Sequence, residues 1–101
     1  MEFKIANHSD VTTVSISGVL TFDDHERFKG VVKGIVDCGT DRVEIDLGGT
    51  KMIDSAGIGM LLLANDRATK AGKKLNLRAV NGHVAKVIEL SKVDQIIPVV
   101  G

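Results

Sequence analysis

The stretch from Asp46 to Leu63, DLGGTKMIDSAGIGMLLL, constrains the fold more than any other part of the chain. It contains the end of an alternating strand, then a Gly-Gly turn, then the start of an apolar helix. Asp54 and Ser55 stand at the predicted helix start, where side-chain oxygens accept hydrogen bonds from free backbone N–H groups and the helix carries partial positive charge. A phosphate on Ser55 would be tolerated there while adding roughly −1.5 to −2 charge to the surface. Ser55 is therefore a candidate phosphorylation site, with capping of the helix as its alternative role.

Length and composition predict one small globular domain, residues 1–101, since 44% hydrophobic and 26% charged residues are typical of soluble proteins. Thirteen basic residues balance thirteen acidic ones, which gives no general attraction to nucleic acid or to an anionic membrane. Cys38 is the only cysteine, which fits the reducing cytoplasm. The longest apolar run, Met60 to Ala64, is far shorter than the roughly 20 residues that span a bilayer. We therefore expect a cytoplasmic protein that contacts neither nucleic acid nor membrane directly.

Hydrophobic periodicity predicts an α/β chain with its elements in the order ββαβαβαβ. Two alternating runs joined by residues 7–10 indicate an N-terminal β-hairpin. The third strand, Arg42 to Leu47, also alternates, unlike strands that are buried on both faces, so we expect a mixed sheet with helices packed mainly on one face. The central helix is predicted from about Ser55 to Ala71. The last strand, residues 96–100, contains Pro98, which favours an edge position.

One side of the predicted central helix combines apolar and charged residues. When residues are placed at 100° intervals, Gly59 and Leu63 fall on the same side as Ser55, and Met60 lies at the edge of that side. A Leu and a Met that are flanked by glycine and surrounded by charge are typical of a small docking surface. The pattern therefore predicts that a partner protein binds close to Ser55.

The pattern DLxGxxxIDSxGxGxLL, together with the flanking elements, resembles the STAS domain of bacterial anti-sigma factor antagonists, from about Glu2 to Val100. The resemblance implies that Ser55 is the phosphoacceptor and that Asp54 belongs to the surface that meets the kinase. It also implies that the unphosphorylated protein binds an anti-sigma factor, often a serine kinase of the GHKL type, and that a PP2C-type phosphatase resets the phosphorylated one. The expected partner-binding residues are Thr21, Asp23, Asp24, Asp54, Ser55, Gly59, Met60 and Leu63.

The exit of the second strand departs from the family pattern. Many members carry an acidic residue after the Gly-x-Leu at this point, whereas this chain has Thr21. We therefore expect partner contacts at this edge to differ in detail, and Thr21 is a second candidate for phosphorylation.

The sequence favours a binding protein over an enzyme. A hydrolase nucleophile elbow has the pattern G-x-S-x-G, but Ile53 occupies the first glycine position here. The histidines, His8, His25 and His83, stand in no recognisable triad setting, and together with one cysteine they give no cluster of metal ligands. The glycine-rich segments match neither of the common phosphate-binding patterns, so no cofactor is expected.

An alternative function belongs to a different class of protein. Stand-alone STAS domains also resemble the small cytoplasmic subunit of lipid-transporting ABC complexes, which braces the ATPase of the transporter. Co-purification with a kinase or phosphatase would favour the switch, and co-purification with a transporter ATPase would favour the brace. Whether the domain forms a homodimer is left open by the sequence, and we expect at most a weak one.

Overall fold

The computed structural model describes residues 1–100 as one five-stranded sheet with three α-helices. The strands are β1 (Glu2–His8), β2 (Val11–Leu20), β3 (Arg42–Ile53), β4 (Lys74–Arg78) and β5 (Val99–Val100). The helices are α1 (His25–Asp37), α2 (Ser55–Lys70) and α3 (Gly82–Ser91), and single 3-10 turns cover Phe22–Asp24 and Val93–Gln95. The predicted order ββαβαβαβ is confirmed.

The strand order in the sheet is β1-β2-β3-β4-β5. β1 is antiparallel to β2 and the other three pairs are parallel, so the sheet is mixed as predicted. Each helix connects two adjacent parallel strands. Because such crossovers are right-handed and all advance in the same direction across the sheet, the three helices lie on one face. β5 is an edge strand as predicted, although it contains only two residues.

The helix-facing side of the sheet forms the core. Val43, Ile45 and Leu47 of β3 are fully buried, whereas Glu44 between them is partly exposed on the other side. The helices complete the core with Phe28, Val31 and Ile35 from α1, Leu61, Ala64 and Ala68 from α2, and Val84 and Ile88 from α3. The opposite side of the sheet is polar, and Arg78 lies there within 3.7 Å of Glu44.

β3 does not turn at Gly48-Gly49 as predicted, but continues to Ile53. Its pairing with β2 shifts register twice, after Asp46 and after Thr50, and each time β3 carries one extra residue. Such β-bulges bend a strand without ending it. The buried Thr50 hydroxyl donates to the Ile16 carbonyl at 2.8 Å, which holds the two strands together at this point. β2 and β3 therefore run side by side to the edge of the sheet at which α2 begins.

Two glycines inside α1 allow this helix to approach β1 closely. A Cβ atom on Gly34 would overlap Ile5 Cδ1, and a Cβ atom on Gly30 would lie 3.2 Å from Phe3 Cζ. Glycine weakens a helix interior by up to about 1 kcal/mol. In α1 this cost accompanies close packing against the first strand.

Candidate functional site around Ser55

Ser55 is the first residue of α2, directly after the end of β3. The capping residue is Asp54, whose backbone is extended (φ −105°, ψ −177°) and whose Oδ1 accepts from the Gly57 N–H at 2.7 Å. The alternative role of Ser55, capping of the helix, is therefore wrong. The Ser55 side chain is exposed, on the first helical turn, where the helix dipole favours an added negative charge.

Gly57 fixes the first turn of α2 against the end of β2. A Cβ atom at this position would overlap the Leu20 carbonyl oxygen and lie 2.6 Å from Ile53 Cγ1. The same carbonyl accepts from the Asp54 N–H at 3.3 Å. A residue larger than glycine would displace α2, so the spacing of the Asp-Ser-x-Gly motif determines where Ser55 lies relative to β2.

The 3-10 turn between β2 and α1 presents an aromatic side chain that is not among the predicted binding residues. Phe22 is 69% exposed, and its backbone N–H points to Asp54 Oδ2 at 3.4 Å. Its ring stacks on that of His25, with the ring centroids 6.2 Å apart and an interplanar angle of 19°. A large apolar residue that stands outside the apolar stripe of α1, next to two aspartates, is the sequence signal that could have identified it. Phe22 adds an aromatic anchor to the surface around Asp54.

The acidic residues of this turn differ in their surroundings. Asp24 accepts from the Thr21 N–H at 3.0 Å and from the amino nitrogen of Met1 at 2.9 Å. Partial burial raises the pKa of Asp24, but these donors outweigh it, and the pKa lies below its ordinary value. Asp23 is exposed, whereas Thr21 is half-buried. Asp24 is thus engaged within the chain, and Asp23 is the carboxylate of this turn that is free to meet a partner.

The three α2 residues of the predicted docking surface differ in exposure. Gly59 is exposed, with no atom within 4 Å of the position that a Cβ would take, and Leu63 is 42% exposed. Met60 is only 6% exposed, so its predicted place at the edge of the exposed side is wrong. α1 packs against this side of α2 and covers Met60, which a projection of α2 alone does not anticipate.

A shallow groove of about 490 Å³ borders Ser55 on the side of α3. His83, at the start of α3, lines this groove together with Ser55 and Asp54. Within residues 1–100, no hydrogen bond joins His83 to either of these side chains.

Within the described residues, no three His, Cys, Asp or Glu side chains are arranged to hold a metal ion. None of the helices in residues 1–100 is both long enough and apolar enough to cross a membrane. The groups near Ser55 are the capping carboxylate of Asp54, the exposed Phe22 that borders Asp54, and Leu90, which is 79% exposed and lines the same groove as Ser55. Such groups suit contacts with a protein surface.

Comparisons with known proteins show the family and the fold of the chain. The family model described as "Mlab, STAS domain" matches residues 3–100. BtrV of Bordetella bronchiseptica, provisionally named an anti-sigma factor antagonist, is 32% identical over 84 residues, which cover 83% of this chain and 72% of BtrV. The crystal structure of an anti-sigma factor antagonist from Mycobacterium paratuberculosis has a TM-score of 0.85 at 19% identity and covers 97% of this chain and 83% of that one. The structure of the anti-sigma factor antagonist SpoIIAA in its unphosphorylated form has a TM-score of 0.65 at 14% identity, over 94% and 97% of the two chains. The chain therefore belongs to the STAS domain family and shares the fold of its anti-sigma factor antagonists.

Proposed function

We propose that the protein is an anti-sigma factor antagonist of a partner-switching pathway, controlled by phosphorylation of Ser55. The observation that carries the proposal is the exposed Ser55 side chain at the start of α2, beside a carboxylate that already serves as the cap. The STAS resemblance supports it, because the serine at this place in the motif is the phosphoacceptor of the antagonists. The unphosphorylated protein binds an anti-sigma factor of the GHKL kinase type, and a PP2C-type phosphatase restores this state. The protein acts in the cytoplasm and catalyses no reaction itself.

The proposed switch needs no refolding. A standard interface buries about 800 Å² on each partner. A phosphate on Ser55 adds roughly −1.5 to −2 charge beside the Asp54 carboxylate. This phosphate has to be desolvated when the partner binds, and any acidic group opposite repels it. A loss of about 2.7 kcal/mol is enough to lower the affinity by roughly 100-fold.

Within the proposed binding surface, Asp54 connects the first turn of α2 to the 3-10 turn that contains Phe22. Its Oδ1 holds the first turn of α2 through Gly57, and its Oδ2 lies 3.4 Å from the Phe22 N–H. A phosphate on Ser55 therefore acts next to the group that positions Phe22. Thr21, at the start of the same 3-10 turn, is the second proposed phosphorylation site.

Affinity capture from an extract of the native cells tests the proposal. The baits are the wild type, Ser55→Ala and Ser55→Glu, with Thr69→Glu as the control that adds the same charge at the other, exposed end of α2. We expect a GHKL-type kinase on every bait except Ser55→Glu. Retention of the same kinase by Ser55→Glu would contradict control through Ser55.

The second candidate is the accessory subunit of a lipid-transporting ABC complex that braces the transporter's ATPase. The family model that covers residues 3–100 favours keeping it, because the description of that model is not restricted to anti-sigma factor antagonists. In the same capture experiment this function predicts a transporter ATPase on all four baits, since bracing does not depend on the charge at Ser55.

A further inference from the structure

A groove between α1 and α2 lies on the helix layer and shares Met60 and Leu63 with the predicted docking surface. It has a volume of about 440 Å³. Phe28 and Val32 of α1 and Met60 of α2 line it, and Phe28 and Met60 are almost fully buried. Val36 and Leu63 also line it and remain 39% and 42% exposed. The groove thus combines an apolar floor with two partly exposed apolar side chains that a binding partner could cover.

The rim of the groove is mainly basic. Lys29, Lys33 and Arg67 line it with a single carboxylate, Asp37, so three positive charges and one negative charge leave a net charge of +2. Each of these cations has a carboxylate within 4.0 Å, since Lys33 Nζ lies 2.8 Å from Asp37, Lys29 Nζ 3.1 Å from Glu26 and Arg67 Nε 4.0 Å from Asp66. All of these side chains are more than half exposed. Exposed ion pairs of this kind contribute little and can exchange partners.

We propose that this groove binds an acidic amphipathic helix of the partner protein. The inference rests on the proposed function in one respect only, that the helix belongs to the protein that also contacts the Ser55 surface. A helix that lies in a groove places apolar residues at i, i+3, i+4 and i+7 on the floor and can carry acidic residues beside them. Those acidic residues meet Lys29, Lys33 and Arg67.

A second copy of this chain is a poorer match for the groove, because none of its helices is acidic. α1 carries three basic and two acidic residues, α2 two and one, and α3 one and one, so their net charges are +1, +1 and 0. The helix that complements a groove of net charge +2 therefore comes from another protein.

The groove is continuous with the surface around Ser55 at both of its walls. His25 lines the groove and stacks on Phe22, whose N–H points to Asp54. Leu63 lines the groove from α2, two turns beyond Ser55. One partner can therefore contact the phosphorylation site and place a helix in the groove.

Two synthetic peptides test the proposal without any knowledge of the native partner. Each has roughly 14 residues, about four helical turns, with leucines on one face. Glutamates fill the other positions of the first peptide and lysines those of the second. The peptides are titrated into isotope-labelled protein and followed by NMR. We expect the shifted amides in residues 25–37 and 59–70, and at least tenfold tighter binding of the acidic peptide.

Matched variants locate the binding site. Leu63→Asp should weaken binding of the acidic peptide at least tenfold. Ile96→Asp is its control, because Ile96 is as large as leucine, is 58% exposed and lies outside the groove; this variant should change the binding less than twofold. Lys33→Glu should weaken binding, and Lys86→Glu on α3 should not. Folding of each variant is verified from its amide spectrum before the titration.

Three results would overturn the proposal: no binding at millimolar peptide, equal binding of the two peptides, or shifts confined to other residues. Dimerisation of the protein that Leu63→Asp abolishes would assign the groove to a second copy and would overturn it as well. The peptide assay involves no phosphate. If the partner binds in a Ser55-dependent way but the peptides do not bind, only the proposed role of the groove is refuted. If the acidic peptide binds but Ser55 does not control partner binding, only the proposed function is refuted.

Discussion

Replacement of Gly57 by alanine tests the packing that fixes the position of Ser55. The new Cβ atom would overlap the Leu20 carbonyl oxygen and lie 2.6 Å from Ile53 Cγ1. Neither neighbour moves easily, because the first is backbone and the second belongs to a side chain that is 2% exposed. The first turn of α2 would therefore have to shift away from β2.

The expected loss of stability is about 3 kcal/mol. Overpacking costs about 2 kcal/mol. The weakened Asp54 cap costs about 1 kcal/mol, and the strained bond from the Asp54 N–H to the Leu20 carbonyl costs about 1 kcal/mol. Alanine offsets about 1 kcal/mol of this through its higher helix propensity.

Urea unfolding followed by circular dichroism measures the loss, with Gly59→Ala as the matched control on the same helix. A Cβ atom on Gly59 meets no atom within 4 Å, so this variant should gain up to about 1 kcal/mol. With an m value of about 1.5 kcal/mol/M, the unfolding midpoint of Gly57→Ala should fall by about 2 M. A Gly57→Ala protein within about 0.5 kcal/mol of the wild type would mean that α2 shifts without cost and that the close packing at Gly57 does not fix its position.

Three further changes test other contacts. Lys73→Met should cost about 2 kcal/mol in urea unfolding, because the Lys73 ammonium donates to the Cys38 and Thr40 carbonyls at 2.7 Å. The exposed Lys74→Met is its control and should stay within about 0.5 kcal/mol of the wild type. Asp54→Ala should cost about 1 kcal/mol and lower the thermal midpoint by about 4–8 °C, and an unchanged midpoint would contradict its role as the cap. The stability difference between the wild type and Asp24→Asn should be present at neutral pH, begin to shrink as the pH falls below about 4, and vanish only below the folded-state pKa of Asp24. The folded-state pKa of Asp24 lies below the ordinary 3.8, so the fold stabilises the ionised carboxylate. This contribution to stability is lost as the pH drops through the folded pKa. A stability difference that does not change with pH would contradict this role of Asp24.

The order of the elements and the place of Ser55 could be predicted because they depend on neighbouring residues. Alternation of Val43, Ile45 and Leu47 is a property of one strand, and it also indicates that only one face of the sheet is covered. The Asp-Ser pair at the start of α2 is equally local, since a cap acts on an N–H only three residues away.

The errors concern contacts between segments that are distant in sequence. Gly48-Gly49 has the composition of a turn, but pairing with β2 continues through it by means of two bulges. Met60 falls near the exposed side when α2 is considered alone, and only the packing of α1 buries it. Phe22 contacts Asp54, which is 32 residues away, so its position beside Asp54 could not be derived from the local sequence.

The intact mass of the protein purified from its native cells shows whether Ser55 carries a regulatory phosphate. A phosphate adds ~80 Da, and peptide mapping assigns it to a residue. We expect a phosphorylated fraction that maps to Ser55, rises or falls with growth and stress conditions, and is absent from Ser55→Ala. A phosphate that maps to another residue, or no phosphate under any condition sampled, would contradict the proposed control through Ser55.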